Sequence, residues 1–160
     1  MASPLIRPIK PQDDAAICQV ITSVGREFGA IGDGFGPSDA EVAMMSAHYL
    51  REEGALYFVV ELEGDIIGGG GIAPFNDQGV CELRKLFLLP RARGLGVGSQ
   101  LTSECLSFAK SVGYTACYLD TLASMKSAIS LYEKLGFRHL SAPYPGTIHG
   151  GCDVWMLKEL

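Results

Sequence analysis

Histidine is scarce in this chain, with His48, His139 and His149 as its three copies in 160 residues. They are widely separated and no H-x-x-x-H occurs, so a histidine-based metal centre is not expected. Basic charge is also short. Thirteen Lys and Arg against 18 Asp and Glu leave a net charge of −5, which argues against a nucleic-acid partner, because that needs a basic patch. Long apolar runs are missing. Mean hydropathy is high at +0.20, yet Gly, Pro or charge breaks every stretch before the roughly 18 residues of a membrane helix. Met1 to Lys10 lacks the basic-then-apolar layout of a signal peptide. A soluble, cytoplasmic protein is expected. The five cysteines, Cys18, Cys81, Cys105, Cys117 and Cys152, are odd in number and include no CxxC. That removes the zinc-ribbon and thioredoxin readings and leaves reduced, mostly buried thiols.

What is present is a chain of one-domain length, 1–160, with 48% hydrophobic residues for a core. Leu5 to Ile9 reads as a strand. Asp13 or Asp14 caps a helix carrying Ile17, Val20, Ile21 and Val24 at helical spacing. A glycine-rich loop, Phe28 to Pro37, precedes a second helix predicted from Ser38 to Glu52. The period then changes to that of strands. Ala55 to Leu62, Ile66 to Ala73 and Val80 to Leu89 form a meander with turns at Glu63-Gly64-Asp65 and Asn76 to Gly79. Gly68 to Gly71 inside the second of these marks a bulge or a close backbone approach. A helix over Gly98 to Gly113, a strand over Ala116 to Asp120 and a helix over Ser124 to Leu135 follow. Phe137 to Leu140 and Asp153 to Leu157 are the last strands. The order β-α-α-β-β-β-α-β-α-β-β, with a crossover helix after the fourth strand, implies one parallel pair in a mixed, mostly antiparallel sheet.

Chemistry concentrates in Leu86-Phe87-Leu88-Leu89-Pro90-Arg91-Ala92-Arg93-Gly94-Leu95-Gly96-Val97-Gly98-Ser99, a strand, a glycine loop and a helix start. Such a loop exposes N–H groups beside the positive end of a helix dipole and suits a pyrophosphate. A Walker A loop would need Lys-Ser/Thr, which Gly98-Ser99-Gln100 lacks. A dinucleotide loop would need a third glycine where Ser99 stands. It would also normally follow the first strand of a βαβ series. An NAD(P)-dependent oxidoreductase and a ligand-free loop remain as alternatives at this level.

The pattern Arg93-x-x-Gly96-x-Gly98 resembles the R/Q-x-x-G-x-G/A loop of the GNAT family of N-acetyltransferases. Glu82 to Leu88 is similar to the fourth strand of that family, and Ala128 to Phe137 to its A-I-x-L-Y-x-K-x-G-F signature. The motifs stand in family order, and Val60 to Gly64 with Gly68 to Pro74 resembles a bacterial subgroup of it. The resemblance implies an α/β acyl-CoA N-acyltransferase fold with splayed fourth and fifth strands. It implies acetyl-CoA as acetyl donor, no metal, and an amine acceptor, either a small molecule or a protein lysine or N-terminus. Dimers are common in the family, but the sequence carries no legible interface. The rival from another class is a CoA-binding sensor without catalysis.

Residue by residue, the resemblance puts the main chain of Leu86, Phe87 and Leu88 beside the pantetheine arm and Arg93, Gly94, Leu95, Gly96, Val97, Gly98 and Ser99 around the pyrophosphate. Tyr132 would lie near the thioester sulfur. Many family members have asparagine, a cofactor contact, where this chain has Met125, which cannot make that hydrogen bond. An amine near pKa 10 must lose a proton before attack, and a carboxylate can take it. Glu82 and Asp120 are the candidate bases, Tyr132 the donor to the leaving thiolate. For acceptor contacts the loops offer Tyr144, Thr147 and His149 on one side and Phe28, Asp33 and Phe35 on the other.

Overall fold

The apolar run of Leu56–Leu62 (β2) is buried on both faces and forms the spine of a sheet. Leu5–Pro8 (β1), β2, Asp65–Pro74 (β3) and Val80–Leu88 (β4) are antiparallel neighbours. The helix Val97–Ser111 (α3) crosses over, so Ala116–Thr121 (β5) lies parallel to β4. Arg138–His139 (β6) and Val154–Glu159 (β7) complete the order β1-β2-β3-β4-β5-β7-β6. The computed structural model describes residues 2–30, 32, 35–147 and 150–160.

Two helical layers cover the sheet. Asp14–Glu27 (α1) buries Ile17, Val20, Ile21 and Val24 against Tyr57, Val59 and Phe87. On the other face α3 buries Leu101, Cys105 and Ala109, joined by Tyr132 of Lys126–Lys134 (α4).

The second helix differs from expectation. Ala40–Met44 and Arg51–Glu53 are 3₁₀ turns, and the α-helix is only Met45–His48 (α2). The apolar spacing of Val42, Met45 and Tyr49 is satisfied, since all three are buried. Long-range polar bonds break the helix up. Asp14 accepts from the Ser46 N–H at 2.8 Å and its hydroxyl at 2.7 Å, and Asp39 is drawn to the Lys85 ammonium at 2.8 Å.

The run Gly68 to Gly71 is explained by space. A Cβ on Gly68 or Gly70 would strike Leu88 or Leu86, and one on Gly69 or Gly71 would strike the Tyr57 ring. The strand is stripped on both faces so that its neighbours can lie against it.

Candidate active site

β4 and β5 run side by side only from Val80–Glu82 and Ala116–Tyr118. Beyond Glu82, β4 continues on β3 and β5 continues on β7, so the sheet forks. The fork coincides with a bulge in β4. The register slips between Gly69 and Gly71, and Lys85 adopts φ +53°. Bulges bend a strand and re-aim its side chains. Here Tyr57 donates to the Lys85 carbonyl at 2.7 Å, and the Lys85 ammonium, 2% exposed, meets Asp39 at 2.8 Å and Glu41 at 3.5 Å.

Past the bulge the main chain alternates. Leu89 donates to Ile67 at 2.8 Å and Phe87 opposes Gly69, so both use their main-chain groups on β3. Leu86 and Leu88 therefore turn theirs towards the fork. The Leu88 carbonyl accepts from Arg93 Nη2 at 3.0 Å and Nε at 3.2 Å. Phe87 opposes Gly69 of β3, its ring is buried under α1, and it also borders the smaller cavity described below.

On one side of the fork lies a cleft of about 370 Å³ that includes Arg93, Gly94, Gly96, Val97, Gly98 and Ser99. Gly94 and Gly96 sit at φ +77° and +76°, and nothing lies within 4 Å of a Cβ built on either. The first helical bond of α3 runs from the Gln100 N–H to the Gly96 carbonyl at 3.2 Å. The N–H groups of Val97, Gly98 and Ser99 precede it, and no side chain caps them. An open cradle of amides at the end of a 15-residue helix fits a pyrophosphate. Leu95 points away and is 54% exposed. Arg93 holds Glu27 in two bonds of 2.7 and 2.8 Å and lies 5.2 Å over the Phe28 ring. That ion pair keeps the Glu27 carboxyl below its ordinary pKa. Phe28 itself lines the cleft, and its carbonyl accepts from Ser124 at 3.1 Å.

On the other side is a smaller cavity, about 70 Å³, bordered by Glu82, Arg84, Asp120, Met125, Tyr132 and Cys152. Glu82 is in register with Tyr118, two residues before Asp120, so the two carboxylates share one face. Glu82 is buried and accepts from Arg84 Nε at 2.6 Å. Asp120 accepts from Thr147 at 2.6 Å and from Tyr118 at 3.2 Å. Cys152 borders the same cavity as Asp120. Burial, then the Asp120 charge, pushes its thiol up to about 12, so it stays neutral. Burial likewise raises the Tyr132 phenol well above its usual value.

The outer loops close this cavity. Phe35 lines it, and its ring lies so near Gly151 that a Cβ there would fall 2.6 Å away. Tyr144 stacks on Tyr118 at 5.3 Å and thereby backs the Asp120 contact. His149 and Asp33 lie outside the described residues. Among the described residues no cluster of three or more His, Cys, Asp or Glu is set to hold a metal. Likewise no described helix is long and apolar enough to cross a membrane.

Sequence reasoning missed Tyr57, Lys85 and Cys152. A glycine run opposite a strand tyrosine is a usable signal for the first. Nothing local marks the other two, because their roles depend on distant partners.

Known proteins were compared with this geometry. The model of the acetyltransferase (GNAT) family matches residues 27–137. The chain is 40% identical over 161 residues to the "Uncharacterized N-acetyltransferase YjgM" of Escherichia coli, covering 99% of this chain and 96% of that protein. It superposes on a GNAT-family acetyltransferase of Staphylococcus aureus with TM-score 0.83 at 19% identity, covering 98% and 99% of the two chains. PaiA N-acetyltransferase of Thermoplasma acidophilum, solved in complex with coenzyme A, gives TM-score 0.79 at 18% identity, with 99% of each chain covered. At these identities the structural likeness is one of fold.

Proposed function

Because the chain belongs to the GNAT family of acetyltransferases and is an N-acetyltransferase, we propose that acetyl-CoA occupies the larger cleft and that a primary amine reaches it through the smaller cavity. The oxidoreductase reading falls with that membership. When bound, acetyl-CoA supplies an acetyl group activated as a thioester. The observation that carries the reading is the fork. It puts an open amide cradle on one side and two carboxylates with a buried phenol on the other.

The amides of Val97, Gly98 and Ser99 receive the pyrophosphate, with the α3 dipole adding to them. Arg93 supplies the nearby cation. The main-chain groups of Leu86 and the N–H of Leu88 face the fork and align the pantetheine arm as an added strand, while Arg93 holds the Leu88 carbonyl. Met125 offers no hydrogen bond of the kind an asparagine would; Ser124 and Ser127 line the same cleft as polar neighbours.

Glu82 takes the proton that the amine nitrogen sheds as its N–C bond forms and the C–S bond breaks. It does so directly or through a water. Tyr132 returns a proton to the leaving sulfur, and its burial keeps the phenol protonated for that task. Asp120 is engaged by Thr147 and Tyr118. It acts as a positioning residue that ties the loop before β7 to the cavity wall. The acceptor is a primary amino group, carried by a small molecule or by a protein.

The test is release of CoA thiol from acetyl-CoA with a panel of amines and lysine-containing peptides. Acceptor-dependent release, cut about 10-fold or more by Glu82→Gln and by Tyr132→Phe, supports the assignment. Release unchanged in both variants overturns it.

A further inference from the structure

Two side chains line both cavities: Leu86 of β4 and Met125, the residue before α4. Leu86 stands on the β4 arm of the fork and Met125 in the turn between β5 and α4, so the junction between the cavities is apolar. Both are held. Leu86 lies on Gly70, where a Cβ would come within 3.1 Å of it. Met125 Sδ accepts from the Thr121 hydroxyl at 3.4 Å, and its main chain bonds to Leu122 at 2.9 Å and Ile129 at 3.1 Å.

We infer that Leu86 and Met125 form a gate that limits the transferred acyl group to the size of acetyl. The inference rests on the assignment of the larger cleft to the donor. A thioester entering from that cleft brings its carbonyl carbon to the junction, and the acyl tail must go forward. Forward is the cavity of about 70 Å³, which must also admit the amine nitrogen. Its β4 wall is tied to β3 and its β5 wall to β7, and the turn that carries Met125 is held by the bonds just named. A methyl group fits this space beside an amine; each added methylene competes with it. A methionine would ordinarily yield to a larger group, since its side chain is flexible. Here the Thr121 bond and the buried neighbours hold it in one place. Discrimination against one extra methylene in an apolar pocket runs at about 10- to 200-fold.

The experiment measures Kd by calorimetry for CoA, acetyl-CoA and butyryl-CoA on the wild type, Met125→Leu and Met125→Ala. It is paired with kcat/KM for both acyl donors and one amine. The wild type is expected to bind butyryl-CoA about 10-fold or more weakly than acetyl-CoA, and Met125→Leu to keep that ratio. Met125→Ala is expected to bring the two donors within about threefold while leaving the Kd for CoA itself nearly unchanged. Met125→Val serves as the second variant if Met125→Ala does not fold, with the same expectation in a smaller degree. Equal binding of the two donors by the wild type overturns the gate. So does a ratio that survives Met125→Ala with CoA affinity intact. Failure of every amine to release CoA would count against the acceptor assignment alone, because the binding ratios read the gate without turnover.

Discussion

Tyr57 on β2 donates its hydroxyl to the carbonyl of Lys85, two strands away, at 2.7 Å. Lys85 is the one β4 residue in the left-handed region, and the bond pins the bulge beside which β4 leaves β5. The ring crosses β3 at Gly69 and Gly71, which have no side chain to block it. The fork that defines both cavities is therefore anchored from two strands away in the same sheet.

Tyr57→Phe should lower stability by about 1–3 kcal/mol, because a buried carbonyl loses its partner. Turnover should fall with it as the bulge loosens. Gly69→Ala should cost more, since the new methyl would sit 2.6 Å from the Tyr57 ring and 2.9 Å from Ile17. Urea denaturation read beside kcat checks both. A Tyr57→Phe protein of wild-type stability would show that the bulge holds itself.

Glu82→Gln should lower kcat/KM by about 10²- to 10⁴-fold at neutral pH, where an alkylamine is mostly protonated and needs a proton acceptor. The deficit should shrink as pH rises towards 10, because free amine then accumulates without help. A deficit that stays constant across the pH series would show that Glu82 acts through Arg84 and the cavity shape instead.

Tyr132→Phe should cut kcat by about 10-fold or more with little change in the KM for acetyl-CoA. Burial raises the pKa of the phenol, so the neutral form persists beyond the ordinary tyrosine value of about 10. The wild-type rate should accordingly show no alkaline fall from this group up to about pH 10. A fall near pH 8 that disappears in Tyr132→Phe would contradict its environment.

Gly96→Ala places a side chain at φ +76° where nothing touches it, so its direct cost is conformational, about 1 kcal/mol. The KM for acetyl-CoA should rise far more than that strain implies, because the methyl narrows the amide cradle. Kd and melting temperature measured together separate the two effects.

Asp13 gives a pH signature away from the site. Arg7 holds it with bonds of 2.8 and 2.9 Å, and the Lys10 N–H adds a third at 2.8 Å. These bonds lower its folded pKa, the Arg7 bond most. The associated stability is present above the unfolded carboxylate pKa of about 3.9 and is lost as pH falls through the lower folded value. Asp13→Asn should therefore be less stable than wild type at pH 7 and approach it in acid. Chemical denaturation at pH 7 and about pH 3 reads the difference.

Much of the molecule was legible before folding was considered. Arg93 to Ser99 encodes strand end, glycine loop and helix start within a few residues, and Tyr132 stands in a helix whose period can be counted. Glu82 could be nominated from its place on the fourth strand beside the slot that the GNAT resemblance implies, and Asp120 from its place at the end of the fifth strand. These are local patterns, set by backbone sterics, turn chemistry and the 3.6 and 2.0 periods, so neighbouring residues suffice to produce them.

Tertiary structure decided the rest. The second helix is expected to run unbroken from Ser38 to Glu52, but Asp14 and Lys85 draw its polar residues elsewhere. A one-residue bulge in β4 sets which of its residues oppose β3 and which turn to the fork. The company of Thr147 and Cys152 at Asp120, and of Leu86 and Met125 at the junction, joins segments far apart in the chain. Such encounters depend on strand register and on which buried polar group finds which partner. Those are settled when the layers pack, because a hydrogen bond or ion pair across the fold has no period by which a sequence could announce it.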